Sequence, residues 1–179
     1  MSWDVFNPLN AMDNIQALLV AGGNVLVAIM VVTFVMWLLI LERVIYFATA
    51  SGSVKKRAIS GWANRTDTTS WYAHAVHAKS VSEVREKSNH GIGTIKALVA
   101  ILPLLGLLGT VTGMVEVFDV MASTGSSSAR LMAGGITKAT IPTMAGLVAS
   151  LSGILMMNII ERQASAAVND VSDRMVIGA

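Results

Sequence analysis

Three stretches without a charged side chain constrain this chain before anything else does. Asn14 to Leu41 covers 28 residues, Ala97 to Val115 covers 19 and Ala139 to Ile160 covers 22. A helix rises about 1.5 Å per residue, so about 20 apolar residues cross a hydrocarbon core roughly 30 Å thick. The balance of 54% hydrophobic to 13% charged residues, with a mean hydropathy of +0.63, is too apolar for a water-soluble domain of 179 residues. The expectation is an all-α integral membrane protein with three transmembrane helices per subunit.

The absence of cysteine excludes a disulfide framework, a thiolate metal site and a cysteine nucleophile. The first 24 residues hold Asp4 and Asp13 but no lysine or arginine, so they lack the basic start of a cleaved signal peptide and the first span is expected to be retained. A net charge of +2 is too small to suggest nucleic acid, but its distribution is informative. Eight basic residues fall between Ala48 and Lys96 (Lys55, Lys56, Arg57, Arg65, Lys79, Arg85, Lys87, Lys96), against Asp67, Glu83 and Glu86. Lysine and arginine near span ends stay cytoplasmic. The expected order is therefore an outer amino-terminal segment at 1–14, a first span at 15–47, an inner helical segment at 48–96, a second span at 97–121, an outer loop at 122–130, a third span at 131–160 and an inner tail at 161–179.

Along that order, 1–14 carries Trp3, Phe6, Pro8 and Met12 among polar neighbours and reads either as a short interfacial helix or as a frayed tail. Trp37, Glu42, Arg43 and Tyr46 form an aromatic and charged belt suited to the inner headgroup level, where Glu42 and Arg43 read as snorkelling anchors in preference to a buried functional pair. Ser80-Val81-Ser82-Glu83 has the pattern of a capping box opening a helix toward Ser88. His74 and His77 share a helical face near Trp71, but His90 is the only further histidine, so they read as facing solvent or headgroups rather than zinc. No metal or cofactor is expected.

The last two spans form a hairpin about Ser123-Thr124-Gly125-Ser126-Ser127-Ser128. With span ends near Met121 and Leu131, Thr110 and Thr143 lie roughly 16 and 18 Å below the outer surface, close to the midplane. Small residues surround them: Gly106, Gly109 and Gly113 on one helix, Ala139, Gly146, Ser150 and Gly153 on the other, with Gly109 and Gly113 in a GxxxG spacing that lets helices approach closely. Threonines in spans commonly bond their own backbone carbonyls, so packing alone is one reading and a polar seam is the other. Glu116 and Lys138 fall roughly 8 and 10 Å deep, at matching levels on antiparallel helices. They read either as an ion pair at the outer mouth of a conduit or as two side chains reaching separately for the interface. Pro103 and Pro142 interrupt their helical ladders and free carbonyls near the seam, which reads either as polar backbone offered to a cavity or as two structural bends.

Pro103 to Met114 (PLLGLLGTVTGM), Gly135-Ile136-Thr137-Lys138-Ala139-Thr140 and Thr143 to Ala149 (TMAGLVA) resemble the MotA/TolQ/ExbB proton-channel family, nearest a short ExbB-type member of a TonB energy-coupling system. The likeness extends to Gly22-Gly23, Met36-Trp37 and Leu41-Glu42-Arg43. It implies a Gram-negative inner-membrane subunit forming a ring-shaped homo-oligomer, a pentamer, around the spanning helices of an ExbD-like dimer. It further implies that an aspartate of that partner is protonated, that threonines matching Thr110 and Thr143 line its path, and that a TonB-like transducer is energised for iron-siderophore or vitamin uptake. One position departs: where the family's ExbB members carry glutamate in a GIxEA context, this chain has Lys138. The chain also lacks a carboxylate at the midplane, which leaves room for a second subunit to bring the acid.

Rival readings are a TolQ-like subunit serving envelope integrity, a MotA-like subunit driving a flagellum and a scaffold that conducts nothing. The short loops and missing large cytoplasmic domain weigh against the flagellar form. An intramembrane protease is disfavoured because no serine has a nucleophile context and no histidine lies within a span. No enzyme activity is expected.

Overall fold

The structure, a computed structural model, describes residues 8–63, 70–125 and 129–175, and among them there are five helices and no strand. They are α1 (Pro8–Thr49), α2 (Ser51–Ala63), α3 (Trp71–Asn89), α4 (Ile92–Thr124) and α5 (Ala129–Arg174). The fold is all-α, with three stretches long and apolar enough to cross a membrane, within Gly22–Thr49, Trp71–Ser123 and Met132–Arg174. Trp3 and Phe6 lie outside the described residues, as do Arg65, Asp67, most of the serine tip and the last four positions.

Two local features depart from the sequence pattern. Within α1 the backbone leaves the helix at Gly23, with φ 64° and ψ −165°, a conformation that side-chained residues rarely adopt. The helix expected to open at Ser80–Glu83 opens instead at Ser70, whose Oγ accepts from the Ala73 N–H at 3.2 Å. The reason is that no glycine or proline stands between Trp71 and Asn89, so nothing stops the helix upstream and Ser80 is left in its interior.

The chain divides into two compact units. One comprises Met1–Met36 with Leu98–Ser152. Leu26, Ile29, Leu102 and Pro142 are fully buried in it, while Phe34, Leu104, Met144 and Val148 are each about two-thirds exposed. Helices apolar on both inner and outer faces suit a lipid or partner-helix surround rather than water.

The other unit comprises Trp37–Ala97 with Gly153–Ala179. Here α2 and α3 close a core of Trp62, Ala73 and Val84 with Val168 and Val171 from the end of α5 and Met175 just beyond it, so the segment between the first two spans shares its core with the tail. Lys55 bonds Asp170 at 3.3 Å, Lys96 pairs with Glu161, and the His77 ring meets Trp62 edge-on at 5.5 Å. Asp170 also accepts from Arg174 Nε at 2.7 Å, and the Arg174 bond followed by the Lys55 bond holds its carboxyl below the usual carboxylate value.

Arg43 corrects the snorkelling expectation. Its side chain is only 5% exposed, against 59% for Glu42. The guanidinium donates to the Lys87 carbonyl at 3.4 Å, to Glu42 Oε1 at 3.1 Å and to His90 Nδ1 at 3.0 Å, and it covers the Tyr46 ring. Because arginine only donates, His90 Nδ1 is the acceptor in that bond. Gly91, at φ 74°, makes the turn that presents the Lys87 carbonyl and His90 to Arg43, which is why this charge is drawn inward.

Candidate functional site: a hydroxyl and glycine seam

The seam between α4 and α5 begins with missing side chains. A Cβ added at Gly106 would lie 2.9 Å from Thr143 Cα, one at Gly109 2.4 Å from Pro142 Cβ, one at Gly113 2.7 Å from Ala139 Cβ and one at Gly146 2.6 Å from the Leu102 carbonyl oxygen. Each distance is shorter than real Cβ contacts tolerate, so all four glycines expected in packing sit where a side chain has no room: Gly106, Gly113 and Gly146 lie against backbone atoms of the facing helix and Gly109 against the Pro142 ring. Gly135, named only in the sequence motif, also faces the other helix, where a Cβ would meet the Val117 side chain.

This approach brings the threonines together. Thr143 Oγ1 lies 2.8 Å from Thr110 Oγ1 and donates across the helices to the Gly106 carbonyl at 2.8 Å. Thr110 Oγ1 also reaches the Gly106 carbonyl, at 3.3 Å, in the back-bonded geometry of a helical threonine. Each hydroxyl has one hydrogen, so with Thr143 committed to Gly106, Thr110 donates to Thr143. The chain then runs from Thr110 through Thr143 to a carbonyl, and the lone pairs of Thr110 Oγ1 are its accepting end.

About one and a half turns along, Lys138 Nζ stands 2.9 Å from Glu116 Oε1 and 3.1 Å from Oε2. Both side chains keep substantial exposure, 39% for Lys138 and 60% for Glu116. With Gly113, Val117, Val120 and Gly135 they line a shallow cleft of about 150 Å³. In the opposite direction Ser150, buried, donates to the Val99 carbonyl at 3.0 Å. Sequence reasoning counted Ser150 only as a small packing residue. The signal that finds it is Pro103, which has no N–H to give the carbonyl four residues back, that of Val99.

These features define a helical membrane protein whose last two long helices meet through glycines, a hydroxyl pair and an ion pair. The chain belongs to the MotA/TolQ/ExbB proton channel family, whose sequence profile matches residues 47–173. It is 31% identical over 102 residues to the biopolymer transport protein ExbB of Salmonella typhimurium, covering 55% of this chain and 42% of that protein. It is 39% identical over 75 residues to biopolymer transport protein exbB1 of Vibrio cholerae, covering 41% and 33%. A putative biopolymer transport protein ExbB-like 1 of Helicobacter pylori is 28% identical over 99 residues, covering 55% and 52%. The chain thus spans about half, or less, of the length of these curated relatives.

Proposed function

We propose that the chain is a proton-channel subunit of a stator that couples the proton motive force to TonB-dependent outer-membrane transport. In this reading, copies of the chain form a ring, a pentamer, in a Gram-negative inner membrane, with the amino terminus outside and 48–96 inside. The ring encloses an ExbD-like dimer that contacts a TonB-like transducer. The observation that carries the reading is the hydroxyl chain from Thr110 through Thr143 to the Gly106 carbonyl between two apolar helices. A protonated acid on a partner helix is the kind of donor that the open end at Thr110 Oγ1 accepts, and this chain has no midplane carboxylate of its own.

A carbonyl holds no transferable proton, so the hydrogen-bonded arrangement is a resting state. Passage of a proton requires Thr143 to turn off Gly106, a side-chain rotation, after which both hydroxyls can accept and donate. Glu116 and Lys138 are assigned to the outer mouth, where an internally neutralised pair stands at the position that resembles a glutamate site in the family.

The test is proton flux in liposomes holding the chain with its ExbD-like partner, read with a pH-sensitive dye. Partner-dependent flux is expected, and it is lost in Thr143→Val. Wild-type flux from a stably assembled Thr143→Val complex would overturn the reading. Loss of siderophore uptake on deletion supports the TonB assignment, whereas envelope leakage or lost motility would redirect it to a TolQ-like or MotA-like role.

A further inference from the structure

We propose that Ser150 is a positioning residue for the threonine pair. By donating to the carbonyl that Pro103 leaves without its helical partner, it holds α4 and α5 in the register that seats Thr143 on Gly106. The inference rests on the proposed function for what the register serves, but its geometry stands independently.

Serine and threonine in an apolar helix ordinarily return their hydrogen to a carbonyl three or four residues back on their own helix. Thr33 does so to Ile29, Thr112 to Leu108 and Ser152 to Ala149. Ser150 instead crosses to the other helix, and the carbonyl it meets is that of Val99, four residues before Pro103. An unsatisfied carbonyl in hydrocarbon is unfavourable, so the proline creates a demand and Ser150 meets it.

The placement ties this bond to the hydroxyl pair. Val99 and Gly106 are seven residues apart on α4, as are Thr143 and Ser150 on α5, so the two cross-helix bonds are rungs two turns apart. Between them Gly146 presses against the Leu102 carbonyl, where even a Cβ would come within 2.6 Å. Sliding or rolling either helix breaks both rungs together. Ser150 therefore acts on Thr143 through the backbone, touching neither hydroxyl.

A mutant cycle of Ser150→Ala, Pro103→Ala and the double variant tests this in the chain reconstituted with its ExbD-like partner. Two quantities are read: the carbon shift of the Gly106 carbonyl by solid-state NMR, and proton flux. Ser150→Ala is expected to move the Gly106 resonance and to lower flux roughly 3- to 20-fold, the factor spanned by intramembrane side-chain hydrogen bonds. Ser150→Cys, close in volume with a weaker donor, moves both in the same direction by less. Pro103→Ala restores an N–H to Val99, so adding Ser150→Ala to it changes neither quantity further. An unmoved Gly106 resonance in Ser150→Ala, or an effect undiminished in the Pro103→Ala background, overturns the proposal. A resonance that moves and cancels through the cycle while flux stays constant upholds the positioning and overturns the proton-path reading.

Discussion

The hydroxyl of Thr143 stands 2.8 Å from that of Thr110 and spends its own hydrogen on the Gly106 carbonyl, so it is at once acceptor and donor across the helix pair. Thr110 is placed differently, since the Gly106 carbonyl at 3.3 Å offers it a second acceptor within its own helix. Removing the Thr143 hydroxyl therefore breaks the chain, while removing that of Thr110 shortens it. Thr143→Val is expected to lower proton flux by about 10²-fold, the lower range for loss of a positioned proton-transfer group, with Thr110→Val affected less. Thr143→Ser keeps the hydroxyl and should retain most of the flux. Native gel mobility checks assembly of each variant.

The glycines make a steric prediction that needs no functional assay. An alanine at Gly109 would place its Cβ 2.4 Å from Pro142 Cβ, and one at Gly146 would place it 2.6 Å from a backbone oxygen, which cannot rotate away. Overpacking of this kind destabilises by about 1–3 kcal/mol. Gly134 is the control, because nothing lies within 4 Å of the corresponding position. Gly134→Ala should be neutral or stabilising by up to about 1 kcal/mol, since alanine is the better helix former. Thermal denaturation in detergent distinguishes them, and equal midpoints for Gly134→Ala and Gly146→Ala would count against the close approach.

Much of the seam was legible because it depends on counting. Thr110 and Thr143 share a depth because each lies a similar number of residues from the hairpin tip, and Glu116 and Lys138 share a level for the same reason. The presence of three helices long and apolar enough to cross a membrane was legible from uncharged runs alone. What counting cannot supply is which neighbour stands opposite. Pro103 announced a free carbonyl, but Ser150 as its partner follows only from the antiparallel register of two close backbones. Arg43 was misplaced for a similar reason: a charge at the end of an apolar run reads as an anchor, and only the Gly91 turn reveals acceptors waiting inside. The Ser80–Glu83 box misled because a capping pattern is local, whereas a helix already begun at Ser70 overrides it.

The ion pair of Glu116 and Lys138, at one end of the seam, predicts compensation. Lys138→Glu would set two carboxylates in the space of one salt bridge and should lower both thermal stability and flux. The exchanged pair, Glu116→Lys with Lys138→Glu, restores opposite charges across the same two positions. With both partners substantially exposed, a coupling of about 0.2–1 kcal/mol is expected between them. A double-mutant cycle on thermal stability measures it, and strictly additive single losses would show that the two charges act separately.

Arg43 makes a stronger demand on its replacement than charge. Its fork reaches the Lys87 carbonyl, Glu42 and His90 at once and lies over the Tyr46 ring, and a lysine has one head group for all of these. Arg43→Lys should therefore be destabilising by about 1.5–3 kcal/mol, the scale of hydrogen bonds to charged groups, despite keeping its charge. Urea denaturation followed by protease susceptibility of α3 measures the loss. Stability equal to wild type would mean that charge alone suffices here.

The Asp170 carboxylate gives the chain a pH-dependent tie between α2 and the end of α5. Bonds from Arg174 and then Lys55 lower its folded-state pKa below the ordinary value of 3.8, so the unfolded segment takes up the proton first as pH falls. The stabilisation is complete above that ordinary value and disappears as pH falls through the lower folded value. Asp170 keeps about a third of its side chain exposed, so the effect is local rather than global. Amide exchange in α2, corrected for the intrinsic pH dependence of exchange, should accelerate below about pH 4 in the wild-type chain. Asp170→Asn should exchange faster near neutral pH and lack the acid step, because its side chain cannot titrate. An acid step that survives in Asp170→Asn would assign the linkage to another carboxylate.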